Sequence, residues 1–146
     1  NNMKLFFTRM FFLILLLFLF SCNTPENIEV HADVPISINR GELFTITTQI
    51  KNTSHKPQEL VSIDIANNYL DGVVILGTSP NYKDVINVPI DNTTSYSFNK
   101  IINPNSEITV KFNAKAVNSG IYNSTIDFCI NSSFNFISRT IFTEIN

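Results

Sequence analysis

Ile108-Thr109-Val110-Lys111-Phe112-Asn113-Ala114-Lys115-Ala116 alternates apolar and polar side chains without a break. Successive side chains of a strand point to opposite faces of a sheet. A period of two therefore describes a strand with one face in a core and the other in water. A helix would need apolar residues three and four apart, and no stretch of the chain shows that pattern over ten residues.

Outward from this strand the pattern repeats. Asn118-Ser119-Gly120 turns the chain, and Tyr122, Ser124, Ile126, Phe128 and Ile130 then face the core, with Asp127 and Cys129 on the opposite face. Phe136 to Ile145 supplies a last strand whose inward face the pattern does not assign. Toward the N-terminus, Pro104-Asn105 is a turn and Ser95 to Ile102 is a strand anchored by Tyr96 and Phe98. Val85 to Ile90 is a weak strand that Pro89 confines to a sheet edge. Val73 to Leu76 is short and apolar, and Leu60 to Ile65 points Val61, Ile63 and Ile65 inward. Leu43 to Lys51 sets Phe44, Ile46, Thr48 and Ile50 on one face, and alternation also marks Ile28 to His31 and Pro35 to Ile38. Turn residues separate these runs at Asn39-Arg40-Gly41-Glu42, at Asn52 to Pro57, and at Asn67 to Gly72. Short strands at such spacing give an all-β fold, an antiparallel β-sandwich of about seven to nine strands.

The N-terminus is of another kind. Lys4 and Arg9 precede eleven apolar residues, Met10 to Phe20, and Ser21 then stands before Cys22. Basic, apolar and small in that order is a secretory signal, expected as a helix ahead of the sandwich and removed on export. The run is too short to span a bilayer, which takes roughly 20 apolar residues. Leu19-Phe20-Ser21-Cys22 resembles the lipobox of bacterial lipoproteins, with Phe20 departing from the smaller residue usual at its position. The resemblance implies cleavage between Ser21 and Cys22, and lipid attachment at the Cys22 sulfur, with acyl chains such as palmitate. It thus implies a lipid-anchored, extracytoplasmic protein of the bacterial cell envelope. The expected organisation is a leader over 1–21, a polar tether over 22–27 and the sandwich over 28–146. A plain signal with a Cys22–Cys129 disulfide is the rival arrangement.

Arg40-Gly41-Glu42-Leu43-Phe44-Thr45-Ile46, with Ile50-Lys51-Asn52-Thr53-Ser54, resembles the second strand of bacterial immunoglobulin-like domains. Asn118-Ser119-Gly120-Ile121-Tyr122 resembles their late turn, in which the aromatic caps the core. The resemblance implies an immunoglobulin-like sandwich and a cell-surface habit, not an activity.

The chain carries 12 acidic and 10 basic residues, a formal charge of −2, and loses two cations with the leader. Scattered charge of that sign excludes an electrostatic footprint for nucleic acid. His31 and His55 are the only imidazoles, and neither stands at a telling distance from a carboxylate or nucleophile. No Gly-x-Ser-x-Gly elbow, phosphate loop or paired-cysteine zinc spacing occurs. The expectation is therefore a non-enzymatic module without cofactor or metal. Its partners are the membrane, through the lipid, and an envelope protein or glycan met through loops or a sheet edge. Tyr69, Leu70, Asn81 and Tyr82 are the candidate binding loop, because aromatic residues in loops serve recognition unless they plug the end of the core. The alternative function is binding of a small ligand or calcium by Asp64, Asp71, Asp84 and Asp91. None of these has a second acidic neighbour within two positions, and calcium needs six to eight oxygens.

Overall fold

The computed structural model describes residues 24–146; the leader, its cleavage point and Cys22 lie outside the described residues. Ten strands follow in order: β1 (Ile28–Asp33), β2 (Ser37–Ile38), β3 (Leu43–Asn52), β4 (Gln58–Ala66), β5 (Val73–Ser79), β6 (Asp84–Val88), β7 (Thr93–Ile102), β8 (Glu107–Ala116), β9 (Gly120–Ile130) and β10 (Phe136–Ile145). A single helical turn, α1 (Asn67–Leu70), joins β4 to β5. One sheet has the order β1-β3-β8-β5 and the other β2-β10-β9-β4-β7-β6. All pairings are antiparallel except that of β2, which lies parallel to the end of β10. The architecture is the expected sandwich, with more strands than the seven to nine expected. β2 holds only two residues, too few to show a period, and it forms because Glu144 and Ile145 offer it an open edge.

The core lies between the sheets. Val110, Phe112, Ala114 and Ala116 of β8 are buried, as their alternation requires, and meet Phe98 and Tyr96 of β7 from the other sheet. Phe112 makes edge-to-face contacts with Tyr96 at 5.3 Å and with Phe98 at 6.2 Å between ring centroids. Such pairs add about 0.5–1.5 kcal/mol beyond the area they bury. β10 turns Ile141, Thr143 and Ile145 inward. On β4 the expectation of Val61 facing inward fails. A bulge between Leu60 and Ser62 shifts the register, so Leu60, Ile63 and Ile65 are buried and Val61 is only half-buried. An inserted residue leaves the ladder unpaired and bends the strand, and no alternation rule anticipates it.

The turns place the loops at two ends. Residues 24–27 enter beside the β3–β4, β7–β8 and β9–β10 loops, where Thr53 N–H donates to the Asn27 carbonyl at 2.9 Å. Pro25 is already buried there, so residues 25–27, expected in the tether, are docked on the sandwich. Asn52 organises this end: its Nδ2 donates to the carbonyls of Lys56 (2.7 Å) and Ile102 (2.9 Å), and its Oδ1 accepts from Ser54 and Gln58. The far end gathers the segment from β1 to β3, α1, the β6–β7 turn and the β8–β9 turn. Gly41, at φ +91°, makes the tight turn expected from Asn39 to Glu42, a conformation that side chains disfavour. Glu42 accepts the Asn39 N–H there at 2.9 Å, which holds its carboxyl below the usual range. Gly72 lies so close under the Tyr122 ring that a Cβ would stand 2.3 Å from it. The chain has four glycines, and among the described residues Asn92, Asn105 and Asn131 supply left-handed turns, while Asn99 takes the same conformation within β7.

Ile63→Ala should cost about 2–5 kcal/mol of unfolding free energy. Val61→Ala should cost about 1 kcal/mol or less. Denaturant titration of both variants checks the bulge, and equal losses would place both side chains in the core.

Candidate functional site

The four residues expected to form a binding loop are not brought together. Tyr69 sits on α1 at the far end and is 0% exposed, so it plugs the core rather than offering a contact. Its hydroxyl lies 2.9 Å from Thr143 Oγ1, and Thr143 donates its own proton to the Pro35 carbonyl at 2.8 Å. Tyr69 is therefore the donor in the first bond. Burial pushes its phenol pKa up, and the Thr143 bond partly offsets that. Leu70 is half-buried against the same core. Asn81 and Tyr82 lie instead on the crossover from β5 to β6, at the side of the sandwich. Tyr82 is partly exposed and meets the Tyr96 ring edge-on at 5.5 Å, and its N–H donates to Thr78 Oγ1 at 2.9 Å. Aromatic loop residues are apolar whether they bind or plug, so sequence alone does not separate the two roles.

His31 is exposed on β1 and His55 is exposed in the β3–β4 loop. Neither has a hydrogen-bond or ion-pair partner among the described residues. The aspartates expected as calcium ligands also divide. Asp71 follows α1 and Asp84 begins β6, whereas Asp64 and Asp91 approach Asp127, a residue no sequence spacing groups with them. Among the described residues no three acidic, thiol or imidazole side chains are arranged to hold a metal ion.

Asp64, Asp127 and Cys129 stand together on the outer face of the six-stranded sheet. Asp64 on β4 is directly opposite Asp127 on β9, and Ser62 is opposite Cys129. Like charges in that position repel. Hydroxyls on the flanking strands temper this, with Ser95 Oγ donating to Asp64 Oδ1 at 2.6 Å and Ser138 Oγ to Asp127 Oδ1 at 2.5 Å. Burial pushes the Asp127 carboxyl pKa up, the Ser138 bond opposes it, and the charges of Asp64 and Asp91 add to the rise. Cys129 is a free thiol only 1% exposed, although the alternation puts it on the outer face. The β9–β10 hairpin covers it: the Ser133 carbonyl lies 3.8 Å from its sulfur and Asp64 Oδ2 lies 3.5 Å away. Burial pushes the Cys129 thiol up to about 12, opposed by a Ser62 hydrogen bond and reinforced by the carboxylates of Asp64 and Asp127. A thiol held protonated is neither nucleophile nor metal ligand.

No family model and no curated protein matches the chain. Solved structures resemble it in fold. A family 123 glycoside hydrolase from Clostridium perfringens superposes with TM-score 0.53 at 13% identity, over 82% of this chain and 27% of the hydrolase. The C-terminal domain of the Streptococcus agalactiae AgI/II polypeptide BspA does so with TM-score 0.51 at 14% identity, over 80% of this chain and 49% of that one. AvmM, which catalyses macrocyclization in alchivemycin A biosynthesis, gives TM-score 0.54 at 10% identity, over 84% of this chain and 90% of AvmM. The chain spans less than a third of the hydrolase and about half of the streptococcal structure. These likenesses show the fold, an immunoglobulin-like β-sandwich, and nothing of activity.

Two outcomes follow for the outer face. The folded state raises the Asp127 pKa, so this group contributes stability below the ordinary carboxyl pKa and loses it as pH rises through the raised value. Asp127→Asn should therefore raise Tm at pH 7, by the equivalent of about 0.5–1 kcal/mol, with the gain shrinking on acidification. A gain independent of pH would deny the repulsion. Cys129 should react with a disulfide reagent at pH 8 at least about a hundredfold more slowly in the native chain than in denaturant. Equal rates would mean that the hairpin does not cover it.

Proposed function

We propose that this chain is a non-enzymatic module of the bacterial cell envelope, anchored by lipid at Cys22 and contacting a protein or glycan partner with the far end of its sandwich. The observation that carries this reading is the docking of Pro25 at one end of the fold, three residue steps from Cys22. Three residues reach about 10 Å at full extension. A lipid at Cys22 would hold the entry end against the bilayer surface and turn the far end outward. Exposed apolar side chains stand at that far end: Ile36, Leu43, Val74, Ile121 and, at the tip of the β6–β7 turn, Ile90 at 91% exposure. Contiguous apolar surface left without cover marks contact sites. The buried, protonated Cys129 and the unpartnered imidazoles support the non-enzymatic part of the reading.

Intact mass of the membrane-fraction protein, beside a Cys22→Ala version, tests the anchor. A chain beginning at Cys22 and carrying acyl mass, absent from the variant, is expected. A soluble product without lipid would overturn the reading. A photo-crosslinking residue at position 36 or 90 should give one discrete adduct in whole cells, and position 109, on the other sheet's outer face, should give none.

A further inference from the structure

We propose that the entry end of the sandwich docks on a phospholipid bilayer. The headgroup of a phosphatidylethanolamine occupies a cavity between Glu26 and Lys56, and Phe134 enters the acyl boundary beside it. This rests on the lipid anchor at Cys22 proposed above and adds the protein surface that meets the membrane. A cavity of about 500 Å³ opens at that end, and Glu26, Thr53, His55, Lys56, Pro57 and Asn131 are among its lining. Its walls come from the N-terminal segment, the β3–β4 loop and the β9–β10 hairpin. Glu26 is four residue steps from Cys22, a reach of at most about 14 Å. Acylation at Cys22 would therefore hold the cavity close to the headgroups.

Two opposite charges stand on the cavity walls without meeting. Glu26 and Lys56 are both exposed, and neither has an ion pair among the described residues. Charges separated in this way offer one place for a cation and one for an anion, the complement of a zwitterion. Phosphoethanolamine brings a phosphate for the Lys56 ammonium and three N–H donors on one nitrogen for the Glu26 carboxylate. His55 and Thr53 add hydrogen-bonding groups from the same loop. Much of the remaining polar lining is already committed: Gln58 Nε2 donates to Asn52 and Ser54, and Gln58 Oε1 accepts from Asn131. The other carboxylates near this end have company of their own. Glu59 accepts Asn99 Nδ2 at 3.2 Å, and Glu107 stands across the ladder from Lys51.

The second observation is apolar. Phe134, in the β9–β10 hairpin, is 84% exposed, and Ile101, near the end of β7, is 59% exposed. Both belong to the entry end: Ile101 stands opposite Glu59 at the start of β4, and the Asn131 N–H donates to the Glu59 carbonyl at 2.8 Å. Exposed Lys100 adjoins Ile101, as Lys56 adjoins the cavity. Aromatic rings and long cationic side chains settle together at the boundary of headgroups and acyl chains, where ring and charge each meet their own phase. The bilayer is the occupant because the chain leads there. A protein partner would have to compete with the membrane for this end, whereas the far end is open to one.

The chain contains no tryptophan, so Phe134→Trp places the only indole of the protein at the proposed contact. The full-length protein from the membrane fraction is reconstituted in vesicles of phosphatidylethanolamine and phosphatidylglycerol with brominated acyl chains, beside an Ile90→Trp version. The indole at position 134 should lose at least about half of its emission, since it would sit about 5–10 Å into the headgroup–acyl boundary. The indole at position 90 should lose none. Headgroup binding is read from backbone chemical shifts of residues 26–27 and 53–58 in detergent, titrated with glycerophosphoethanolamine, glycerophosphocholine and glycerophosphate. Saturable binding of glycerophosphoethanolamine is expected, weakened at least about fivefold in Lys56→Ala and in Glu26→Gln. Glycerophosphocholine, whose nitrogen carries no N–H, should bind at least about threefold more weakly. Both side chains are exposed and bond to no described residue, so these variants should keep the wild-type Tm. A chain without acyl mass at Cys22 overturns the anchor and this docking together. An acylated chain whose indole at position 134 is quenched no more than that at position 90 overturns the docking alone. Absence of saturation, equal affinity for glycerophosphocholine or glycerophosphate, or unchanged affinity in the folded variants overturns the headgroup assignment.

Discussion

The contact of Phe112 with Tyr96 and Phe98 is what joins the two sheets. β8 is a central strand of the four-stranded sheet and β7 a strand of the six-stranded one, so this aromatic group crosses the core at its middle. Sheets separated by roughly 10 Å need large side chains to fill the space between them. Phenylalanine does so on β7, β8 and β9, at Phe98, Phe112 and Phe128, and the smaller Ala114 and Ala116 let α1 and Val73 close the far end. Everything that positions the loops depends on the spacing these rings impose.

At the two ends the core is closed by polar groups with complete sets of partners. Asn52 ties the β3–β4 loop to the end of β7, and Tyr69 ties α1 to β10 and to the segment leading into β2. Each is fully buried, and each has satisfied hydrogen-bonding groups, as burial demands. The outer face of the six-stranded sheet is different. Two facing aspartates and an unpaired threonine hydroxyl stand there beneath two loops, an arrangement that costs stability in the free protein.

The sandwich was legible because its signal is local. Alternation in β8 and β9, Pro89 at an edge strand, and the turns at Asn39–Glu42 and Pro104-Asn105 each report backbone geometry through neighbouring residues. The candidate site was far less legible. Asp64, Asp91 and Asp127 are separated by tens of residues, and no spacing rule groups them. They meet because β9 lies beside β4 and the β6–β7 turn lies near both. The grouping of Tyr69 and Leu70 with Asn81 and Tyr82 failed for the same reason in reverse. Closeness along the chain suggested closeness in space, yet the crossover between sheets carries Asn81 and Tyr82 away from the end.

Sequence by itself determined the fold class, the strand positions and the inward faces of β3, β7, β8 and β9. Period-two patterning and turn chemistry act within a few residues, and a linear reading captures them. Tertiary structure decided the bulge that turns Val61 aside, the inward face of β10, the burial of Tyr69 and the cover over Cys129. Those follow from which strands become neighbours and which loops fold over them. Strand order is set by packing of the whole core, a sum over pairs distant in sequence, and no single stretch of the chain contains it.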